Sequence, residues 1–264
     1  MKINNVYKCI FLLSLMALSI WMYSLVSIFL VSLISLIGIV TLSVRVDKLK
    51  KFLIYMVSFS AGALLGDAFI HLLPELAEEG LSLNYSITIL VGVLIFFSLE
   101  KVVHWRHCHM PITKNHVHPF AYMNLIGDAL HNFIDGLIVA GSYLISIPAG
   151  IATTIAVILH EIPQEIGDFG VLIHGGFTKG RAIFLNFITA LTAVLGVVFA
   201  LVLNHYVANI EGYLISLAIG GFLYIAGSDL IPELHKETKI SISLIQILTF
   251  ILGIIVMMAL LLLE

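Results

Sequence analysis

"ILHEIPQEIGDFG", residues 158–170, sets His160, Glu161, Gln164, Glu165 and Asp168 into one short segment and decides which fold the chain adopts. The segment before it reads "GIATTIAVILH" from residue 150, and "VLIHGGF" follows from residue 171, so apolar sequence flanks the polar group on both sides. Residues four apart share a helix face, which pairs His160 with Gln164 and Glu161 with Glu165, while Asp168 extends the face of Gln164. Pro163 cannot donate to the carbonyl of Leu159, so the helix is loosened where the polar residues cluster.

The rest of the chain says that this helix lies in a membrane. Of 264 residues, 60% are hydrophobic and 11% charged, and the mean hydropathy is +1.10. A soluble globule carries about a quarter charged residues, so the composition is that of a polytopic membrane protein with the lipid bilayer as its main neighbour. A net charge of −3 gives no reason to expect nucleic acid as a partner. Cys9 and Cys108 fall in different regions and build neither a disulfide framework nor a cysteine zinc site. No nucleotide-binding glycine loop is present, which argues against ATP hydrolysis within this chain.

A spanning helix needs roughly 20 apolar residues, and on that rule spans fall at 22–44, 52–74, 85–103, 121–145, 150–174, 182–204, 212–232 and 241–263. The expected fold is therefore all-α, with eight transmembrane helices in one domain, residues 22–264. With both termini outside, eleven of the thirteen Lys and Arg residues lie on the cytoplasmic side, in keeping with the positive-inside tendency. Residues 1–21 form an N-terminal hydrophobic extension, signal-like or an extra helix, with no A-x-A cleavage site after it. The expected home is the plasma membrane, and the sequence leaves open whether two copies pair as a homodimer.

Two of these spans resemble each other. "SFSAGALLGDAFIHLLPEL" (58–76) and "SLAIGGFLYIAGSDLIPEL" (216–234) align at a constant offset of 158 with eight identities in nineteen, ending in Pro74-Glu75-Leu76 and Pro232-Glu233-Leu234. His71 pairs with Asp229 in this alignment. In the expected topology the two segments run in opposite directions, which predicts an inverted repeat of helices 1–3 and 6–8 around a central site on helices 4 and 5, an arrangement typical of alternating-access transporters.

A charged group at mid-bilayer costs at least about 2.5–3.5 kcal/mol, so it faces a partner, a cavity or an ion. Besides the opening segment, "GDALHNFIDG" in the fourth span brings Asp128, His131, Asn132 and Asp135, with His131 and Asp135 on one face. A hydrogen-bonded interhelical network without an ion is the plainer account. Imidazoles, carboxylates and amides at helical spacing on adjacent spans favour an ion site for zinc, iron(II) or manganese.

"HNFIDG" followed by "HEIPQEIGDF" resembles the paired signature of the ZIP metal transporters, in particular the branch reading HNF-x-DG and HE-x-PHE-x-GD. "GALLGDAFIHLLPE" resembles that branch's second helix, and the resemblance covers residues 22–264. It implies a non-enzymatic transporter that moves divalent metal into the cytoplasm through a two-metal site, with the ion as cargo and no catalytic cofactor. The primary site it implies is His131, Asp135, His160 and Gln164; the neighbouring one is Asn132, Asp135, Glu161 and Gln164, bridged by Asp135. Gln164 stands where histidine is usual, and Ala193 stands where another branch has a sixth-helix glutamate.

Asp67 and His71 in the second helix, with Asp229 as the repeat partner, are pore candidates; Glu165 and Asp168 are candidate supports for the ligands. The loop "HWRHCHMPITKNHVH" adds His104, His107, His109, His116 and His118 as a loose metal-binding tract on the inner side. The competing reading is an intramembrane zinc metalloprotease in which His160 binds zinc and Glu161 activates water. That chemistry needs a second histidine four residues after His160, where Gln164 stands.

Overall fold

A computed structural model describes the backbone of residues 2–41, 46–78, 80–104 and 119–263, and the side chains of 18–39, 52–78, 80–101 and 121–262. The regular structure among the described residues is all helical, with no strand. About eight helices account for it: α1 (Lys2–Ile34), α2 (Val46–Gly66), α3 (Leu83–His104), α4 (Pro119–Ile145), α5 (Ile147–His174), α6 in two stretches (Lys179–Ala190 and Thr192–Leu203), α7 (Ile210–Tyr224) and α8 (Ile240–Leu260).

Six stretches among the described residues are long and apolar enough to cross a membrane: Leu18–Ile37, Phe52–Glu78, Leu83–Lys101, Lys179–Leu203, Ile210–Leu234 and Ile240–Leu260. The long helices outside this set are α4 and α5, of 27 and 28 residues. They carry Asp128, Asp135, Glu161, Glu165 and Asp168, and these carboxylates lower the apolarity of both helices. A single residue, Ser146, separates α4 from α5. Its hydroxyl accepts the Ala149 N–H at 3.1 Å and caps α5, with Pro148 in the first turn, so α5 starts at Ile147. At the N-terminus α1 passes residue 21 without a break, so no backbone boundary marks the expected extension.

The two related segments share an irregularity. After α2 the chain widens into a π turn, Asp67–Leu72, before Leu73–Glu78; after α7 it does the same at Ile225–Leu230 before Ile231–Leu234. The π turns stand 158 residues apart, the offset of the sequence match. Leu73 N–H reaches back five residues to the Ala68 carbonyl, and Ile231 N–H to that of Ala226. Pro74 and Pro232 follow immediately. A proline lacks the N–H and its ring crowds the carbonyl four residues back, and a wider preceding turn accommodates both faults.

Three helix pairs cross at glycines from both partners. A Cβ on Gly62 would stand 2.0 Å from the Phe250 carbonyl oxygen, and one on Gly253 2.3 Å from that of Phe59, which fixes α2 against α8. Gly92 and Gly220 do the same for α3 and α7, at 2.6 Å from the Leu217 oxygen and 2.1 Å from the Ile89 oxygen. Gly136 and Gly196 join α4 to α6, each at 2.0 Å, from the oxygens of Ala193 and Phe133. Lipid supplies no hydrophobic drive between helices, so close backbone approach at small residues supplies dispersion and Cα–H···O contacts instead.

Candidate metal centre

α4 and α5 lie side by side around the short Ser146 turn, which brings the turn of His131 and Asp135 opposite that of His160 and Glu161. His131 Nε2 lies 3.5 Å from Asp135 Oδ2 and 3.5 Å from Glu161 Oε1. His160 Nε2 makes the same two approaches at 3.5 Å, and the two imidazole nitrogens are 3.4 Å apart. The ligand atoms of these four residues all lie within 4.8 Å of one another. Five of the six separations are thus those of a near-regular tetrahedron. A point equidistant from the four atoms lies about 2.1–2.4 Å from each, the shorter figure matching zinc–nitrogen and zinc–oxygen bonds of about 2.0–2.2 Å.

The surroundings orient these atoms. His160 Nδ1 lies 3.2 Å from the Ala156 carbonyl, so its proton sits there and the Nε2 lone pair faces the centre. Phe96 meets the His131 ring edge-on at 5.3 Å, and Phe222 meets His160 at 6.2 Å. The side chains of Asp135, His160 and Glu161 are at most 1% exposed, and that of His131 is 13% exposed. Both oxygens of Asp135 and Oε1 of Glu161 are buried without a hydrogen-bond partner. Two neutral imidazoles and two carboxylates carry a formal charge of −2, which a divalent cation would neutralise; uncompensated burial of such groups is costly.

The neighbouring sequence candidates have other contacts. Asn132 turns its amide nitrogen to the Asp128 carbonyl and Oδ1, at 3.1 and 2.8 Å, leaving its own buried oxygen unpartnered. Asp128 Oδ2 accepts from Thr189 Oγ1 at 2.5 Å, Asp168 Oδ1 accepts from Asn124 at 2.9 Å, and Glu165 accepts from Asn186. Sequence reasoning missed Asn124, Asn186 and Thr189. Asn186 and Thr189 lie on α6, and their only signal was polarity within an apolar span. Ala193 is fully buried, with its carbonyl against Gly136.

A cavity of about 400 Å³ runs from His131 and Gln164, past Asp128 and Asp168, to Asp229 and Glu233. It opens at the bundle end that carries the C-terminal ends of α3 and α5. On the other side of the centre the pore candidates are sealed. Asp67 is fully buried and accepts from Thr153 Oγ1 at 2.9 Å, and buried His71 Nε2 meets the Met257 carbonyl at 2.9 Å. The loop histidines His107, His109, His116 and His118 lie outside the described residues, as does the side chain of His104, the last residue of α3.

The family profile described as ZIP Zinc transporter matches residues 18–121 and 112–261. The chain is 34% identical over 266 residues to zinc transporter ZIP13 of Danio rerio, across 80% of this chain and 75% of that protein. It is 36% identical over 217 residues to zinc transporter ZIP13 of Pongo abelii, across 76% of this chain and 65% of that protein. With zinc transporter ZIP13 of Homo sapiens it shares 31% identity over 255 residues, across 76% and 69% of the two chains.

Proposed function

The chain belongs to the ZIP zinc transporter family, and from that premise we propose that it carries zinc into the cytoplasm by alternating access, through a centre formed by His131, Asp135, His160 and Glu161. The observation that carries the reading is the set of unpartnered, buried carboxylate oxygens on Asp135 and Glu161, held with two imidazole nitrogens in near-tetrahedral array. A tetrahedral nitrogen and oxygen set suits zinc, whereas manganese favours six oxygens in an octahedron. Iron(II) and manganese are the competing cargoes. Asn132 and Gln164 serve the neighbouring position as the ion leaves, and Gln164 lines the cavity that it would enter.

In this proposal the orientation in the membrane follows from charge. Lys101, Lys179, Arg181, Lys236 and Lys239 gather at the bundle end where the cavity opens, which the positive-inside tendency makes cytoplasmic. In this reading the conformation faces inward, both termini lie outside, and residues 22–264 form an eight-span transport domain in the plasma membrane. The two π turns at one offset support an inverted repeat. Exchanging α2 with α7 and α3 with α8 also exchanges the α2/α8 glycine pair with the α3/α7 pair. Alternating access would interchange the sealed surroundings of His71 with the open surroundings of its repeat partner Asp229.

The protease reading loses ground because Glu161 is one of the four converging groups rather than a base beside them, and no third imidazole joins them among the described residues. The test is zinc uptake into liposomes holding the purified chain, measured with an enclosed zinc dye. His160→Ala should abolish uptake while insertion stays intact. Normal uptake by that variant would sink the proposal.

A further inference from the structure

The strongest feature that the transport reading does not use is a bond from α2 to the backbone beside the ligands. Pro163 removes the donor that would have satisfied the Leu159 carbonyl in a regular helix. Ser60 Oγ, on α2, donates to that same carbonyl oxygen at 2.5 Å, and Ser60 is fully buried. The Leu159 carbonyl and the His160 N–H belong to one rigid peptide plane. Whatever holds that oxygen therefore sets the direction from which His160, and then Glu161, leave the backbone.

Ser60 itself stands on a fixed platform. Two residues before it, Ser58 Oγ donates to the Gln246 carbonyl of α8 at 2.5 Å. Two residues after it, Gly62 lies against the Phe250 carbonyl of the same helix. The hydroxyl thus transmits the position of the α2/α8 pair to the peptide in front of His160.

We propose that Ser60 is a positioning residue for the metal centre: its hydroxyl replaces the bond that Pro163 cannot make and holds the Leu159–His160 peptide so that His160 Nε2 and Glu161 Oε1 converge with His131 and Asp135. This rests on the reading that those four residues bind metal. The 3.4–3.5 Å separations within the centre tolerate little movement of α5, because a site must hold its geometry within about 0.5 Å to work. Removing the hydroxyl leaves a buried carbonyl without a partner one residue from a ligand, and relieving that fault means tilting the peptide.

The experiment uses the purified full chain, with zinc titrated calorimetrically and cobalt(II) as an optical probe of tetrahedral coordination. Ser60→Ala should weaken zinc binding about 10–100-fold, the usual effect of losing a group that orients a ligand, and should dim the cobalt bands. Ser60→Thr, which keeps the hydroxyl, should recover most of both. Pro163→Ala restores the N–H that can reach Leu159, so adding Ser60→Ala to it should cost nothing further in zinc affinity. Equal losses in the two backgrounds, or wild-type binding by Ser60→Ala alone, would overturn the assignment. If Ser60→Ala fails to accumulate, its rescue by Pro163→Ala supports the proposal, and failure of that rescue overturns it. His131→Ala separates the two readings. Zinc binding that is indifferent to His131 sinks the centre itself; binding lost with His131 but unaffected by Ser60→Ala sinks only the role of Ser60.

Discussion

Gly196→Ala should disable transport although Gly196 touches none of the four converging groups. A Cβ there would stand 2.0 Å from the Phe133 carbonyl oxygen, and real Cβ atoms essentially never come closer than 3.0 Å to such an atom. The obstacle is backbone, so α6 and α4 must part by about 1 Å. Phe133 lies on α4 between His131 and Asp135, so the displacement falls on the segment that aims half of the centre. A misplacement of about 1 Å costs on the order of 10²-fold in rate where geometry governs the step. Initial zinc uptake into liposomes should fall by about that factor, in protein that still elutes as a single species. Gly170→Ala is the matched control: it lies in α5 with no atom within 4 Å of the new Cβ, and alanine is the better helix former by about 1 kcal/mol. Its uptake should equal wild type. Uptake by Gly196→Ala within twofold of wild type would refute the argument that backbone contact at this crossing positions the ligands.

Three further outcomes are expected. Asp135→Asn and Glu161→Gln keep side-chain shape and remove one negative charge each, so each should abolish tight zinc binding in titration calorimetry; unchanged affinity would remove that carboxylate from the centre. Gln164→His should tighten zinc binding and reduce the ability of manganese and iron(II) to inhibit zinc uptake, and an unaltered competition profile would show that Gln164 is not a ligand. Replacing His104, His107, His109, His116 and His118 with Ser should shift uptake affinity by a modest factor and leave transport present, so complete loss in well-inserted protein would contradict a loose collecting role.

Helix limits were legible where caps and apolar runs agree. The expected span 121–145 is the helix Pro119–Ile145, and 150–174 begins three residues earlier because Ser146 and Pro148 start the helix at Ile147. The partnership of His131 with Asp135 followed from helical spacing alone, as did the orphaned carbonyl of Leu159. What fills that orphan was not legible. Ser60 lies 99 positions away on another helix, and no periodicity within α2 or α5 carries the register between them. The same holds for the Asn186–Glu165 and Thr189–Asp128 bonds. Gln164 was legible only in part: spacing put it on the His160 face, but not that it lines, together with His131, the cavity that leads from the centre. The common offset of the two π turns was half legible, since Pro74 and Pro232 mark where the helices must deform but not that they widen.

X-ray absorption at the zinc edge of the loaded, purified chain tests the centre most directly. A tetrahedral centre of His131, Asp135, His160 and Glu161 predicts a single shell of four nitrogen and oxygen neighbours at about 2.0–2.1 Å. The outer-shell scattering of two imidazoles should accompany it and weaken in His131→Ala. A six-coordinate oxygen shell, or a wild-type spectrum without imidazole scattering, would contradict the account.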